Sequence, residues 1–298
     1  MNCKLKHLLL VINPNAGTRQ ARRFLPEIIA VFNRAGYYCS VYVTDKRGDA
    51  MRFIRDYAEG ADLVVACGGD GTLNEVITGL QLGGYRMPLG YIPCGSTNDF
   101  ANGLGLPTAP IIAAGTIVSG TPHTLDVGLF TPDRYFSYTA SFGAFTSVSW
   151  STPQNVKNVL GHAAYILEGI RSLADIRPIH MRITADGQVF EEDYIFGAVC
   201  NSTSLGGVLK LEDSDVDMND GRFETLFIPF PEDLLVLNRI LSALRTHHYD
   251  DPSLHFLRAA SFVFEGAPDV TWTLDGEDAD GGHSVEIKNI HNAIQLVY

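Results

Sequence analysis

The stretch Leu63-Val64-Val65-Ala66-Cys67-Gly68-Gly69-Asp70-Gly71-Thr72-Leu73-Asn74-Glu75 decides the fold. Its first four residues form an unbroken apolar run, as in a strand buried on both faces. The glycines that follow permit a tight turn and a close approach of backbone to a ligand. From Asn74 onward, Val76, Ile77 and Leu80 fall at helical spacing. Strand, glycine turn and helix in that order set free backbone N–H groups and a helix N-terminus against a phosphate. Asp70 adds a carboxylate to the turn, which suits a Mg2+-bound phosphate better than a bare one.

Working outward, two further polar loops follow apolar runs. Residues 8–12 read as a strand ending in Asn13-Pro14-Asn15-Ala16-Gly17-Thr18, a turn-rich loop. The spacing of Phe24, Ile28, Val31 and Phe32 predicts a helix over 20–35, closed by Gly36. Residues 38–43 alternate like a second strand, 44–48 form a loop, and 50–58 are helical. Residues 89–92 read as a fourth strand, followed by Pro93-Cys94-Gly95-Ser96-Thr97-Asn98-Asp99 and a short helix from Phe100-Ala101. Strands alternating with helices predict a parallel sheet covered on both faces, with ligand loops at the carboxyl ends of the strands. All three polar loops can then line one crevice.

The pattern changes after Leu125. Short strands are predicted at 127–130, 135–142, 180–184, 194–201, 225–228, 260–265, 270–274, 284–288 and 293–297. Turns such as Asp186-Gly187, Asp220-Gly221, Asp275-Gly276 and Gly281-Gly282 separate many of them. Helical stretches interrupt near 156–174 and 231–245. The boundary is placed near residue 126. Residues 1–126 are expected to be a Rossmann-like α/β nucleotide-binding domain and 127–298 an antiparallel β-sandwich domain.

Composition limits the functional classes. The chain has 298 residues, 34 acidic and 22 basic, for a net charge of −12. That argues against non-specific nucleic-acid binding and against a broad basic face for anionic lipid. The 5 cysteines are scattered without CxxC spacing, as expected of reduced thiols in a cytosol. No signal-peptide pattern precedes the first strand, and no run reaches the roughly 20 apolar residues of a membrane span. Any membrane contact is therefore expected to be peripheral, at the inner face, for a cytoplasmic protein. The 9 histidines show no metal spacing, and no Ser or Cys has the partners of a hydrolytic triad. The run from Asp213 to Glu224 has acids at the first, third, fifth and twelfth places of an EF-hand loop. Met218, however, stands where the sharp turn needs glycine, so that reading is rejected.

Four segments together resemble the diacylglycerol kinase family of lipid kinases, in its soluble bacterial branch. They are Asn13 to Gly17, Gly68 to Glu75, Pro93 to Ala101, and Leu274-Asp275-Gly276-Glu277, in the family's order. The resemblance implies an α/β domain similar to that of NAD kinases and phosphofructokinases, followed by a β-sandwich. It implies ATP contacts from Asn13, Pro14, Asn15, Ala16 and Gly17, from Thr44, and from Gly69, Asp70, Gly71, Thr72, Leu73, Asn74 and Glu75. Ser96 stands where the family has a threonine near the phosphates. Asn98 and Asp99 follow it, at a turn where they could equally be helix N-caps. Asp70 would act on Mg2+ directly or through water. Glu277 would be the general base for the acceptor hydroxyl. Asp275 would orient it or help hold magnesium, though an Asp-Gly hairpin turn with a solvated Glu explains the same residues. A structural Mg2+ would be held by Asp217, Asp220 and the backbone carbonyl of Arg222.

One departure is Thr18, where many relatives carry a basic residue; Arg19, Arg22 or Arg23 could supply that charge. Another is the end of the chain, only 21 residues after Glu277, where family members often continue with a segment returning to the first domain. The expectation is an ATP- and Mg2+-dependent kinase acting on a lipid hydroxyl at a membrane surface. An NAD kinase-like enzyme and a catalytically silent nucleotide- or lipid-binding regulator are the alternatives. The lipid itself and any homodimer are not legible. Residues 136–145 and 226–244 are candidates for lining a lipid-tail cleft.

Overall fold

The computed structural model describes residues 5–17, 19–130, 132–143, 177–202, 204–205, 209–210 and 217–298. Thr18, residues 144–145 of the tail-cleft candidate, the helix predicted near 156–174 and residues 213–216 of the acidic run lie outside the described residues. The chain divides into two units: Met1–Val127 together with Asn292–Tyr298, and Gly128–His291.

The first unit contains β1 (Lys6–Ile12), α1 (Gln20–Arg23), α2 (Leu25–Arg34), β2 (Tyr37–Val43) and α3 (Asp49–Tyr57). It continues through β3 (Leu63–Gly68), α4 (Asp70–Gly83), β4 (Leu89–Pro93), α5 (Asp99–Gly103) and α6 (Pro110–Ser119). Its strands pair in parallel in the order β2-β1-β3-β4, with Leu10 beside Val41 on one side and Val65 on the other. Leu8, Leu10, Ile12, Val65 and Ile92 pack under Ile28 and Phe32 of α2 and under Ala113, Ala114 and Ile117 of α6. Leu9, Val11, Val64 and Ala66 point to the opposite face by strand alternation and are equally buried. There α3 and α4 meet at Gly79, where a Cβ would stand 2.6 Å from the Met51 carbonyl oxygen. The helix predicted over 20–35 is broken at Phe24. Pro26 has no N–H to offer Arg22 and its ring crowds that carbonyl, so the helix restarts with Pro26 in the first turn of α2.

From α6 the chain enters β5 (Pro122–Phe130). The second unit then contains β6 (Arg134–Phe136), β7 (Thr139–Gly143), β8 (Ile179–Ala185), β9 (Gln188–Cys200) and a short pair, β10 (Ser204–Leu205) with β11 (Leu209–Lys210). After these come β12 (Phe223–Pro229), α7 (Leu234–Thr246), β13 (His255–Ala259), β14 (Ser261–Gly266), β15 (Thr271–Leu274), β16 (Glu277–Asp280) and β17 (Ser284–Val297). Pairing within the unit is antiparallel. The long strand β9 changes partner along its length. Gln188 to Tyr194 pair with β8, and Phe196 to Cys200 lie between β7 and β12. Such a switch lets one strand serve two layers of a sandwich. The interior is aromatic: Phe142, Phe227, Phe262, Phe264 and Trp272 form one buried cluster. On the far side of β9 and β12, Leu237, Ile240, Leu241 and Leu244 of α7 cover Phe196, Leu226 and Ile228.

Strand β13 is absent from the sequence reading, because its His-Phe-Leu-Arg-Ala run lacks clean alternation. The runs at 284–288 and 293–297 form one strand, which bends through Asn292 at φ 54°. The end of β17 lies in the first unit, where Leu296 pairs in parallel with Leu89 of β4. Arg86 Nη1 and Gln81 Nε2 also bond the Ala293 carbonyl, at 3.1 and 2.8 Å. The residues after Glu277 therefore supply a return segment to the first unit.

Candidate active site

Three loops of the first unit converge. The loop after β1 is tied to the central strand by Asn13, whose N–H donates to the Cys67 carbonyl at 2.9 Å. The Asn13 amide also reaches Thr72 Oγ1 at 3.4 Å, and its Oδ1 accepts from the Asn15 N–H at 3.0 Å. Gly17, at φ +49°, ends this loop so close to the third that a Cβ would lie 2.5 Å from the Cys94 carbonyl oxygen. The second and third loops touch through bare backbone: a Cβ on Gly95 would sit 2.6 Å from the Gly69 Cα. Thr44 closes the end of β2 beside them, both its N–H and its hydroxyl donating to the Ile12 carbonyl at 2.9 and 3.3 Å. Pro14 and Ala16 belong to the same turn, and Ala16 is buried. The third loop is held by Asn98 in the left-handed region, whose Oδ1 accepts from Gly95 N–H at 2.7 Å. Ser96 is exposed between them. Gly71 opens α4 with its N–H at the positive end of the dipole, while the Thr72 N–H donates to the Gly69 carbonyl at 3.0 Å. Leu73 is fully buried, so it can offer a ligand only its backbone.

Asp70 is buried beneath this junction and binds the third loop. Its oxygens accept from the Asp99 and Phe100 N–H groups at 3.0 and 3.3 Å and from the Thr97 and Tyr91 hydroxyls at 3.4 and 3.5 Å. Two backbone donors and two longer hydroxyl contacts thus tie the Asp70 carboxylate to the third loop and its flanks. Burial, and next the Asp70 charge, push the Tyr91 phenol far above its ordinary pKa and keep it a donor.

Asn74 lies one turn into α4, and Glu75 beside it turns toward α3. The two Glu75 carboxylate oxygens accept from Gly48 N–H at 2.7 Å and Ala50 N–H at 3.1 Å, the first orphan donors of α3. Glu75 therefore fixes the 44–50 loop from below. Glu75→Ala is expected to cost about 1–2 kcal/mol of stability, as for loss of a helix cap. Urea unfolding measures it, and an unchanged midpoint would contradict the role.

In the second unit, Asp275-Gly276 forms the turn between β15 and β16, both residues at positive φ (49° and 82°). Asp275 is buried. Its oxygens accept from the N–H groups of Ser137, Tyr138 and Thr139 at 2.6, 2.9 and 3.0 Å and from the Ser137 hydroxyl at 2.8 Å. Burial pushes its pKa upward, against the pull of those four donors. Glu277 opens β16 just beyond this clamp and is partly exposed.

The residues 7–130 match the diacylglycerol kinase catalytic domain, and 141–298 match the YegS C-terminal NAD kinase beta sandwich-like domain. The chain is 32% identical over 295 residues to the diacylglycerol kinase of Bacillus subtilis (strain 168), covering 98% of this chain and 96% of that one. This chain belongs to the diacylglycerol kinase family. It is a lipid kinase, a phosphotransferase with an alcohol acceptor. A diacylglycerol kinase of Staphylococcus saprophyticus is 34% identical over 274 residues, 91% of this chain and 89% of its own. A crystal structure from Bacillus anthracis str. Sterne, provisionally named a diacylglycerol kinase, superposes with a TM-score of 0.80 at 25% identity. It covers 100% of this chain and 97% of its own. The α/β first domain and the β-sandwich second domain are thus those of this kinase family. Among the described residues, no helix is long and apolar enough to cross a membrane.

The kinase carries a second acidic group in its sandwich domain. Asp217 and Asp220 each cap their own turn, accepting from Asn219 and Arg222 N–H at 3.0 and 2.9 Å. The Arg222 carbonyl accepts from the Asn289 amide at 3.2 Å, while Asn289 Oδ1 is buried without a hydrogen bond. Glu224, two residues beyond Arg222, is fully buried. Arg258 Nε stands 3.2 Å from its Oε1, an ion pair off the hydrogen-bond line. Burial raises the Glu224 acid to about 7; Arg258 opposes the rise, and Asp220 and Asp217 add to it. An oxygen-only set with orphaned acceptors and excess negative charge fits a hard divalent cation. No compact group of three His, Cys, Asp or Glu side chains is present among the described residues, so a backbone carbonyl would have to complete the set.

Tyr91, Thr97, Ser137, Glu224 and Asn289 were missed as partners of these groups. Each acts across a sequence separation that no local pattern marks, except Glu224, which closes the rejected EF-hand-like run.

Proposed function

We propose that this kinase transfers the terminal phosphate of ATP to the hydroxyl of a diacylglycerol-like lipid. The observation that most supports it is the backbone contact of Gly69 with Gly95, which gathers the loops at 13–17, 69–75 and 95–99 into one anion-ready surface. ATP phosphates would lie against Asn13, Asn15, Gly17, Gly69, Gly71, Thr72 and Ser96, with Thr44, Asn74, Asn98 and Asp99 shaping the surroundings. Glu277 would accept the proton of the acceptor hydroxyl, and the buried Asp275 would hold the hairpin that presents it. Asp70 and Glu75 would act as positioning residues for the loops. Mg2+, when bound, neutralises charge on the phosphate oxygens. A structural Mg2+ would be held by Asp217, Asp220 and the Arg222 carbonyl. The acceptor's acyl chains hold it in a bilayer, so the enzyme would work peripherally at a membrane surface.

The test is phosphate transfer from labelled ATP into a total lipid extract, with NAD as a competing acceptor and products identified by mass. Label in a diacylglycerol product supports the proposal; label in NAD alone, or none, overturns it. The cation site is tested by thermal unfolding. Added Mg2+ is expected to raise the wild-type midpoint, by about 2.7 kcal/mol of stability at a hundred times its Kd. Asp220→Ala is expected to lose that shift, and an equal shift in both proteins would refute the site.

A further inference from the structure

The thiols of Cys67 and Cys94 lie under the loop junction, and neither has a role in the transfer proposed above. Cys67 is on β3; its register partner on β4 is Ile92, and Cys94 follows two residues later on the same face of the sheet. Their sulfurs are 3.9 Å apart, in van der Waals contact, and both side chains are buried in the core of the first unit. Both cysteines are free thiols.

We propose that Cys67 and Cys94 form a reversible oxidation site, closed to a disulfide by a hydroperoxide, that disables the loops above it. The first step joins a Cys94 sulfur to the terminal peroxide oxygen, breaking the O–O bond and giving a sulfenic acid and water, or the corresponding alcohol. Cys67 sulfur then attacks that sulfenic sulfur. The S–S bond forms, the S–O bond breaks, and the oxygen leaves as water with the Cys67 proton. The two thiols lose two electrons and two protons, and the peroxide is reduced. Cys94 takes the first step because it lies at the loop end of the pair, 4% exposed against 0% for Cys67. The hydrogen bond from Cys67 also holds the Cys94 thiol below its usual pKa, while the same pairing and burial push Cys67 up.

Closure must draw the sulfurs from 3.9 Å to about 2.0 Å. The backbone that would move is the backbone that organises the loops. Cys67 C=O holds Asn13 N–H, Cys94 N–H donates to Gly68 C=O at 2.7 Å, and Gly17 rests on the Cys94 carbonyl. Gly95, directly after Cys94, lies beyond the end of β4, so the third loop can yield where the strands cannot. A shift near 1 Å in such a constellation costs about a hundredfold in rate.

The effect on transfer rests on the function proposed above; the disulfide itself does not. The experiment treats the reduced full-length chain with a small excess of hydrogen peroxide, blocks remaining thiols and maps peptides by mass. A peptide pair joined through Cys67 and Cys94 is expected, with about a hundredfold loss of transfer that dithiothreitol restores. Cys94→Ser and Cys67→Ala should each lose the peroxide response relative to their own untreated rate, and Cys200→Ala should keep it. Both peptides recovered blocked, or Cys94 recovered only as sulfinic acid, overturns the site. A linked pair with an undiminished rate overturns its control of the loops. If wild type transfers no phosphate at all, the function proposed above fails, and the linked peptide still decides the site.

Discussion

Glu277→Gln is expected to lower lipid phosphorylation by about 10²–10⁴-fold, the usual contribution of a general base, and to leave ATP affinity unchanged. Glutamine keeps the size of the side chain and most of its hydrogen bonding, but it cannot take a proton. The scaffold should not notice the change. The hairpin is fixed one residue earlier by the four donors on Asp275 and by two positive-φ residues in the turn. ATP would bind in the first domain, to loops that Glu277 does not belong to. The measurement pairs initial rates on dispersed diacylglycerol with calorimetric ATP titration. A wild-type rate in Glu277→Gln would remove Glu277 from the chemistry; a loss of ATP affinity equal to the loss of rate would assign it to binding.

The first domain was legible because its signals are local. Apolar runs at 8–12, 63–66 and 89–92 each end in a polar, glycine-bearing loop, and the resulting parallel order follows from chain alternation. What local pattern could not show is where the acids point. Asp70 and Glu75 look like ligand residues because they sit in a phosphate-type loop. In the fold, each turns back to satisfy backbone N–H groups of another element, Asp70 at α5 and Glu75 at α3. Such contacts join residues about thirty positions apart, and burial makes them obligatory, since an unpaired buried N–H costs free energy. Asp275 behaves the same way across a much longer separation. The sandwich was harder to read in detail because its strands change partners: nothing in the β9 sequence says that β7 replaces β8 beside it at Phe196. The break at Phe24 was readable in principle, since Pro26 stands within the stretch, but the apolar stripe from Phe24 to Phe32 runs straight across it.

Asp70→Ala is expected to lower the transfer rate by about a hundredfold and to destabilise the fold by roughly 2–4 kcal/mol. Both effects have one cause. Removing the carboxylate leaves the Asp99 and Phe100 N–H groups and the Tyr91 hydroxyl without their acceptor at a largely buried site. The third loop then loses its tie to α4, and the Gly69–Gly95 contact that gathers the phosphate surface opens. A metal-ligand role makes a different forecast. Were Asp70 a direct ligand, the variant would need far more Mg2+ for half-maximal transfer, and its stability in metal-free buffer would hardly change. The backbone donors that Asp70 holds point the other way: a stability loss in metal-free buffer, a fall in kcat, and an unshifted Mg2+ requirement for whatever activity survives. Asp70→Asn refines the test, because its amide oxygen can keep one backbone donor while its NH2 faces the other. It should fall between wild type and Asp70→Ala in urea unfolding. If Asp70→Asn is as stable as wild type but needs much more Mg2+, the carboxylate serves the metal rather than the loop.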